Sequence, residues 1–427
     1  MNRRVYDLAI VGGGIAGLAA AQQAIGHELD VVVLEATERI GGRIKTIMRQ
    51  DGLYWDAGAH WLRHPPINPL IREADRLHVR YLNQWRAQDR YWLDGAWLTE
   101  SENDTIWNDI DEADVLARDL PSIGQDAALG ELLNPDAAFG RMTQALLVNQ
   151  HGDELDRVSA IDRSRAALFE GDWPVRDGFG QFIDRLFGDL DVRLNAPVSV
   201  IDWGSDPLRV DLGTDLIEAR RVLVTVSTGA LQSGRIHFAP DLPESTSAAI
   251  ANLPMASQNR VAFGLNPKLL DLEPDSMHYT QINDQSVVFH ALPASQPLMI
   301  GIVSGELSQT LERESEDALA NMVIAQFESV FGSEAAGTIT TPQATTWGVD
   351  PYFGGAWANP LPGALTARAD LKEPVDDHLY FAGEATSQNA AGTAHGAYQS
   401  GVDAADRVAL SLGCNVEQPF GVDNRPT

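Results

Sequence analysis

Three glycines and one acid carry the clearest chemistry in this chain of 427 residues: Gly12, Gly14 and Gly17 in the run GGGIAG, and Glu35 at the close of the next apolar run. Gly12 permits a tight turn, Gly14 lets backbone approach a pyrophosphate, and Gly17 lets a helix pack closely on a strand. Ile15 and Ala16 open that helix, whose free N–H groups and positive dipole end suit phosphates. Glu35, followed by Ala36, stands where an adenosine ribose presents its hydroxyls. The spacing predicts a dinucleotide site. An ordinary glycine turn in an α/β core would account for the glycines but not for Glu35.

Further candidates lie along the chain. In Glu38–Arg43 (ERIGGR) the paired glycines Gly41 and Gly42 allow close backbone approach, and Arg43 beside them can neutralise phosphate charge. In Asp56–Trp61 (DAGAHW) the small residues Gly58 and Ala59 are flanked by an acid, by His60 and by Trp61. Three late segments complete the set: Trp347–Trp357 (WGVDPYFGGAW), Tyr380–Glu384 (YFAGE) and Gly392–Gly401 (GTAHGAYQSG).

The elements that must position these residues follow from pattern. Val5–Val11 and Asp30–Leu34 read as buried strands around the helix Ile15–Ile25. Stretches 71–110 and 111–187 read as mostly helical, with a hairpin over Arg90–Leu98 whose Asp94-Gly95 pair marks the turn. Strands return over Val192–Val210 and Arg221–Val226, and Val261–Leu265 and Ser286–Ser304 read as an antiparallel sheet. Glu314–Phe331 is an amphipathic helix. A last strand, His378–Ala382, then a glycine turn, then a helix over Gly392–Leu412 repeat the opening unit in type, which predicts that the chain returns to its first sheet.

Composition narrows the function classes. Sixty acids against 31 bases give a net charge of −29, which disfavours nucleic acid and anionic membrane as partners. Eleven acids and one base, Arg118, lie between Glu100 and Asp136; they form either a solvated helical face or a field that attracts a cationic amine. No apolar run reaches the ~18 residues of a membrane span. The opening MNRR lacks the apolar stretch of a signal peptide, so a cytoplasmic location is expected. Cys414 is the only cysteine and the ten histidines are scattered, so neither a disulfide nor a metal site is expected.

Together the motifs resemble the flavin-containing amine oxidase family of monoamine and polyamine oxidases and related demethylases, over nearly the whole chain from Val5 to about Leu410. The resemblance implies an α/β fold in which a FAD-binding Rossmann-type domain (1–72, 190–253 and 366–427) is interleaved with a mixed sheet-plus-helix substrate domain (73–189 and 254–365). It implies that Gly12, Gly14, Ile15, Ala16, Gly17, Glu35 and Ala36 hold the adenosine and pyrophosphate. Gly42 and Arg43 match a flavin-side element. Gly58, Ala59, His60 and Trp61 match the segment lining the isoalloxazine, and the wording GAHW is closest to the polyamine-oxidase branch. Val198 matches the residue that meets the adenine through backbone. Gly383 and Glu384 match the ribityl and phosphate side, and Gly392, Thr393 and Ala394 the pyrimidine end.

The chain also departs from the family. Ala356 occupies the place of the cysteine that bonds covalently to flavin in monoamine oxidases, so FAD is expected to be non-covalent. Ser227 stands where a proline is usual. Arg260 stands where the family presents a lysine to the flavin, and an arginine cannot act as a base. Trp357 matches one wall of an aromatic cage whose other wall falls on Thr393, while Trp347 and Tyr352 read as packing residues. Arg260, His60 and Trp357 are the candidate catalytic residues. The expected reaction is oxidation of a small-molecule amine to an imine by hydride transfer to flavin N5, hydrolysis to a carbonyl, and reduction of O2 to H2O2. The alternatives are a flavin desaturase or dehydrogenase using another acceptor, or a FAD-holding protein without turnover.

Overall fold

The computed structural model describes residues 4–83, 89–166 and 171–416. Val5–Val11 is a buried apolar strand that pairs in parallel with Val31–Leu34 on one side and Leu216–Val224 on the other. Val192–Arg193 extends the sheet beyond Val31–Leu34, and Leu379–Phe381 adds a further parallel partner to Leu216–Val224. The early half of Leu216–Val224 pairs antiparallel with Leu208–Asp211, so one long strand joins a parallel and an antiparallel region of the same eight-stranded sheet.

The first and last helices, Ile15–Gly26 and Ala394–Ser411, pack on each other against this sheet. At Gly401 a Cβ would overlap the Ala16 carbonyl oxygen, so this approach requires glycine. Asp406 on the last helix accepts hydrogen bonds at 2.7 Å from Gln23 and His27 on the first. The chain therefore returns to its opening unit, as the repeated strand–turn–helix pattern predicts.

A second, seven-stranded sheet runs in the order Thr340–Ala344, Gln258–Gly264, Leu298–Ser304, Gln285–Ala291, Met277–Ile282, Asp89–Leu93, Ala96–Trp97. The expected hairpin forms its edge, with Asp94 and Gly95 at positive φ in the turn. Phe327 of the helix Glu316–Phe331 packs on Phe263 and Phe289 of the sheet, with ring centroids 5.2 and 5.8 Å apart.

The acidic stretch is an amphipathic helix, Glu100–Ile123, opened by a capping box between Thr99 and Glu102. It buries Ile106, Ile110, Ala113 and Ala117 and leaves Glu100, Asp104, Asp111, Glu112 and Asp119 in solvent.

Several elements differ from the pattern. Thr46–Met48 and Tyr54–Asp56 are three-residue strands paired with each other in a local hairpin, whereas Trp61–Arg63 pairs with the distant Asp172–Pro174, a contact that no local periodicity encodes. That last strand also interrupts a stretch read as helical. Residues 84–88 and 167–170 of the stretches read as helical lie outside the described residues. Val192–Val210 is not one strand: Asn195 at φ 53 and a turn at Gly204–Pro207 divide it, and Val198 precedes the strand Val200–Asp202.

Candidate functional site

The GGGIAG turn is built as its spacing requires. Gly12 has φ +116, and a Cβ there would sit 2.7 Å from Thr225 Oγ1. A Cβ at Gly17 would overlap the Gly12 carbonyl, which fixes helix against strand. At Gly14, by contrast, a Cβ would meet nothing within 4 Å. That open side at a helix N-terminus, beside backbone that could approach it, is the shape a pyrophosphate needs. Glu35 is buried and accepts from the Gly13 N–H at 2.7 Å and from the Thr37 N–H and hydroxyl at 2.8 and 2.7 Å. Its carboxylate thus ties the glycine turn to the end of the second strand. Ala36 is half-buried beside it, and the Ala196 N–H bonds the Glu35 carbonyl at 2.8 Å, which brings the Val198 segment alongside.

The second glycine element lies on the first. Gly14 and Gly41 form a bridge, and a Cβ at Gly42 would be 3.2 Å from Gly14 Cα. Arg39, which pattern alone did not single out from Arg43, stitches this loop by donating to the carbonyls of Ile40, Gly42 and Ile44. Arg43 reaches instead to the late motifs, donating to the Ala356 carbonyl at 2.7 Å and Glu384 Oε1 at 2.9 Å. Glu384 also accepts the Ala358 N–H at 3.1 Å, and the Gly383 N–H bonds Ser400 Oγ at 2.8 Å. A pocket runs along Arg43, Thr225–Thr228 and Gly383–Thr386. Ser227 caps the short helix after it and donates to the Phe353 carbonyl at 2.6 Å.

Residues 56–61 meet four other parts of the chain, at 43–46, Phe179, Arg260 and Trp347. A Cβ at Gly58 would overlap the Arg43 carbonyl oxygen. Trp347 Nε1 donates to the Ala57 carbonyl at 3.1 Å, so its packing role has a polar anchor, whereas Tyr352 is 38% exposed and does not pack as expected. Arg260 is buried on the strand Gln258–Gly264 and donates Nη1 to the carbonyls of Asp56 and Gly58. Burial pushes its guanidinium down to about 10, which leaves it charged at neutral pH. Its neighbour Asn259 holds the Trp347 N–H at 2.9 Å and donates to the buried Glu312 carboxylate at 2.9 Å. Burial raises the Asp56 carboxyl to about 6 even though it accepts from Thr46 and from the Phe179 N–H.

His60 lies against Trp61, ring centroids 3.7 Å apart. Burial, then Arg260 and His290, push it well below the ordinary histidine range. Trp357 sits between Gly152 and Gly392, where added Cβ atoms would lie 3.0 and 3.2 Å from its ring. Thr393 does not offer its hydroxyl to a cage: it N-caps the last helix through the Gly396 N–H at 3.0 Å and donates to the Ala390 carbonyl at 2.7 Å. Ala394 begins that helix, and His395 after it is buried with Nε2 unpartnered, its pKa driven by burial down to about 3.

Sequence reasoning missed several polar groups here. His290 and Asp275 adjoin His60, and Tyr279 stacks on Tyr91 at 5.2 Å beside Asp89. The Asp89 Oδ1 is buried without a partner, and burial raises its carboxyl to about 7. The only advance signal was a lone acid beginning an apolar hairpin. A raised carboxyl contributes stability that is complete below its unfolded pKa of ~3.9 and lost as pH rises through the folded value. The wild type is therefore expected to lose stability relative to Asp89→Asn between pH 4 and 8, by an order of a few kcal/mol at most. Thermal melts of both at pH 5 and pH 8 check this; parallel pH dependence would refute it.

Among the described residues no group of three or more His, Cys, Asp or Glu is placed to hold a metal ion, and no helix is long and apolar enough to cross a membrane.

The chain matches the family described as flavin containing amine oxidoreductase over residues 15–96 and 97–409. A probable polyamine oxidase 4 of Arabidopsis thaliana is 28% identical over 438 residues, covering 92% of this chain and 85% of that protein. A lysine-specific histone demethylase 2 of Homo sapiens is 26% identical over 94% of this chain, but the match spans only 53% of the demethylase. A putrescine oxidase structure with putrescine bound shares the fold, with a TM-score of 0.79 and 21% identity over 95% of this chain and 99% of that one.

Proposed function

The chain belongs to the flavin-containing amine oxidoreductase family, and from that premise we propose that it oxidises a small-molecule amine to an imine, which water hydrolyses to a carbonyl compound. It is an FAD-dependent amine oxidoreductase whose cofactor is non-covalent. The residues fit FAD: the open side of Gly14 and the pocket along Arg43 and Gly383–Thr386 offer room and donors where its phosphates would lie. Ala356 offers no thiol, and Cys414 follows the last helix and packs on the core of the first sheet. When bound, FAD supplies the acceptor for the hydride that leaves the amine's α-carbon.

The chain's own groups would then do the following. Gly12, Gly14, Ile15, Ala16 and Gly17 would present backbone to the pyrophosphate, with Glu35 and Ala36 at the ribose and Val198 near the adenine. Gly42, Arg43, Gly383 and Glu384 would hold the middle of the cofactor. Gly58, Ala59, His60 and Trp61, with Gly392, Thr393 and Ala394, would frame its ring system. Trp357 would offer a ring face to the amine, and Arg260 would keep a fixed positive charge beside the 56–58 backbone. Residues 73–189 and 254–365 would form the substrate side and the remainder the cofactor side.

The observation that carries this reading is the meeting of four distant segments, 43, 56–58, 260 and 356–384, through Arg43 and Arg260. The polyamine oxidase and putrescine oxidase relatives support an aliphatic amine as substrate and O2, reduced to H2O2, as acceptor. Arg260 supports a second reading, a dehydrogenase with a different acceptor. An anaerobic screen of amines against the flavin absorption band tests the function: at least one amine is expected to bleach it. No bleaching by any amine would sink the proposal. In the same preparation, acid or heat is expected to release FAD into the supernatant, and colour left in the precipitate would contradict non-covalent binding.

A further inference from the structure

Three successive carbonyls in the segment proposed to frame the cofactor ring are each held by a side chain. Arg260 Nη1 donates to the carbonyls of Asp56 and Gly58, and Trp347 Nε1 donates to the Ala57 carbonyl between them at 3.1 Å. The Trp347 ring also lies against Gly58, where a Cβ would be 3.4 Å from Cζ2. Arg260 is fixed by the pairing of its strand. Trp347 lies in a turn, so its backbone needs another hold.

That hold begins at a buried carboxylate. Asn259 precedes Arg260 on Gln258–Gly264, so alternation turns it to the opposite face of the sheet. Its Oδ1 accepts the Trp347 N–H at 2.9 Å and the Thr345 hydroxyl at 3.1 Å. Its Nδ2 donates to Glu312 Oε2 at 2.9 Å and to Ser308 Oγ at 3.0 Å. A backbone N–H can only donate and a carboxylate can only accept, so this amide has one orientation. Thr345 also binds the Arg260 backbone in both directions at 2.9 Å. Ser308 and Glu312 are one turn apart on the helix Gly305–Glu314, and both are buried. Glu312 is 5% exposed, and its partners are neutral donors: the Asn259 amide, the Gly348 N–H at 2.9 Å and the Ser257 hydroxyl at 3.4 Å. A Cβ at Gly348 would overlap Glu312 Oε1, so turn and carboxylate close on each other. Burying a carboxylate among neutral groups is unfavourable. An apolar side chain would avoid that penalty but would leave Asn259 and Gly348 without their acceptor.

Resting on the reading that residues 56–58 frame the cofactor ring, we infer that Glu312 is a positioning residue for that segment, acting through Asn259 and Trp347. The carboxylate orients the Asn259 amide, the amide fixes the turn at 345–347, and Trp347 fixes the Ala57 carbonyl. Arg260, bound to the same Thr345, shares this support. The three carbonyls are thereby held in register with one another.

Glu312→Met tests the assignment, because it keeps the length of the side chain and removes the acceptor. The FAD dissociation constant is expected to rise at least about tenfold, the scale of a lost hydrogen bond to a charged group. Glu312→Gln, with one oxygen still able to accept from Asn259 and Gly348, should lose much less. Trp347→Phe keeps an aromatic ring but removes the bond to the Ala57 carbonyl, and it should weaken FAD binding to a similar degree. The double variant Glu312→Met/Trp347→Phe should bind FAD no worse than the poorer of the two single variants, because both break one link. Independently of the cofactor, the Trp347 indole signal in ¹H–¹⁵N NMR of FAD-free protein, assigned by its loss in Trp347→Phe, should move in Glu312→Met. Phe327→Leu, in the core beneath the helix Glu316–Phe331, controls for stability alone: it should lower the melting temperature and leave both readouts unchanged. If Glu312→Met does not fold, Gly348→Ala displaces the carboxylate without removing it and should shift both readouts the same way. An unchanged FAD constant or indole signal in the Glu312 variant, losses that multiply in the double variant, equal losses in Glu312→Gln and Glu312→Met, or the same shifts in Phe327→Leu would overturn the assignment. A wild type that retains no FAD would instead fail the reading it rests on, and the indole signal tells the two failures apart.

Discussion

Gly58→Ala is expected to abolish FAD retention and to lower the melting temperature as well. A Cβ at this position overlaps the Arg43 carbonyl oxygen, a backbone atom with no rotamer in which to escape. Relief requires the 56–61 segment to move off Arg43. That motion breaks the Ala59 N–H bond to Arg43 at 3.2 Å, the Ala57 N–H bond to Lys45 at 2.8 Å and the Arg260 bond to the Gly58 carbonyl. Overpacking with loss of buried hydrogen bonds costs on the order of 3 kcal/mol. Gly14→Ala is the informative contrast. It adds a methyl into open space at a φ of −73°, so the melting temperature of the FAD-free protein should stay near wild type while FAD affinity falls. Flavin absorbance per polypeptide and thermal melts separate the two outcomes. Full FAD content with wild-type stability in Gly58→Ala would show that the segment is free to relax and does not frame the cofactor.

Arg260 should divide the two halves of the reaction. Its guanidinium is committed to two backbone carbonyls and cannot release a proton near neutral pH. Reduction by a good amine should therefore proceed, reaction with oxygen should be slow, and an artificial acceptor should sustain faster turnover than air. Arg260→Lys, a single movable ammonium, should raise the oxygen rate more than the amine rate. Arg260→Met leaves two buried carbonyls without charged donors, each worth about 1.5–3 kcal/mol, so the fold should weaken too. Stopped-flow measurement of each half-reaction decides the matter. Fast native reaction with oxygen, unchanged in Arg260→Met, would make Arg260 purely structural.

What could be read from sequence depended on distance along the chain. Gly12, Gly14, Gly17 and Glu35 act within one strand–turn–helix–strand unit, so their spacing alone carries their geometry. Arg260 was legible because it departs from an expected residue at an identifiable place on a strand. His290, Asp275 and Asp89 were not legible. Each sits in an ordinary strand or turn, and each matters only because folding sets it beside residues far away in sequence. The same holds for the strand Trp61–Arg63, which exists through pairing with the distant Asp172–Pro174. Thr393 stands where the second wall of the cage would fall, and a threonine before a helix has a local use as its N-cap.

The contact of the first helix with the last, closed at Ala16 and Gly401, sets an order of events during synthesis. The glycine turn is synthesised well before the helix whose Gly401 closes on Ala16. Until then Ile15–Gly26 is covered only by its own sheet and by residues such as Phe179 and Phe182, and the side that faces the last helix stays open. A chain lacking the helix Ala394–Ser411 would lose the surface that closes on Ala16, and its glycine turn would be left without that support.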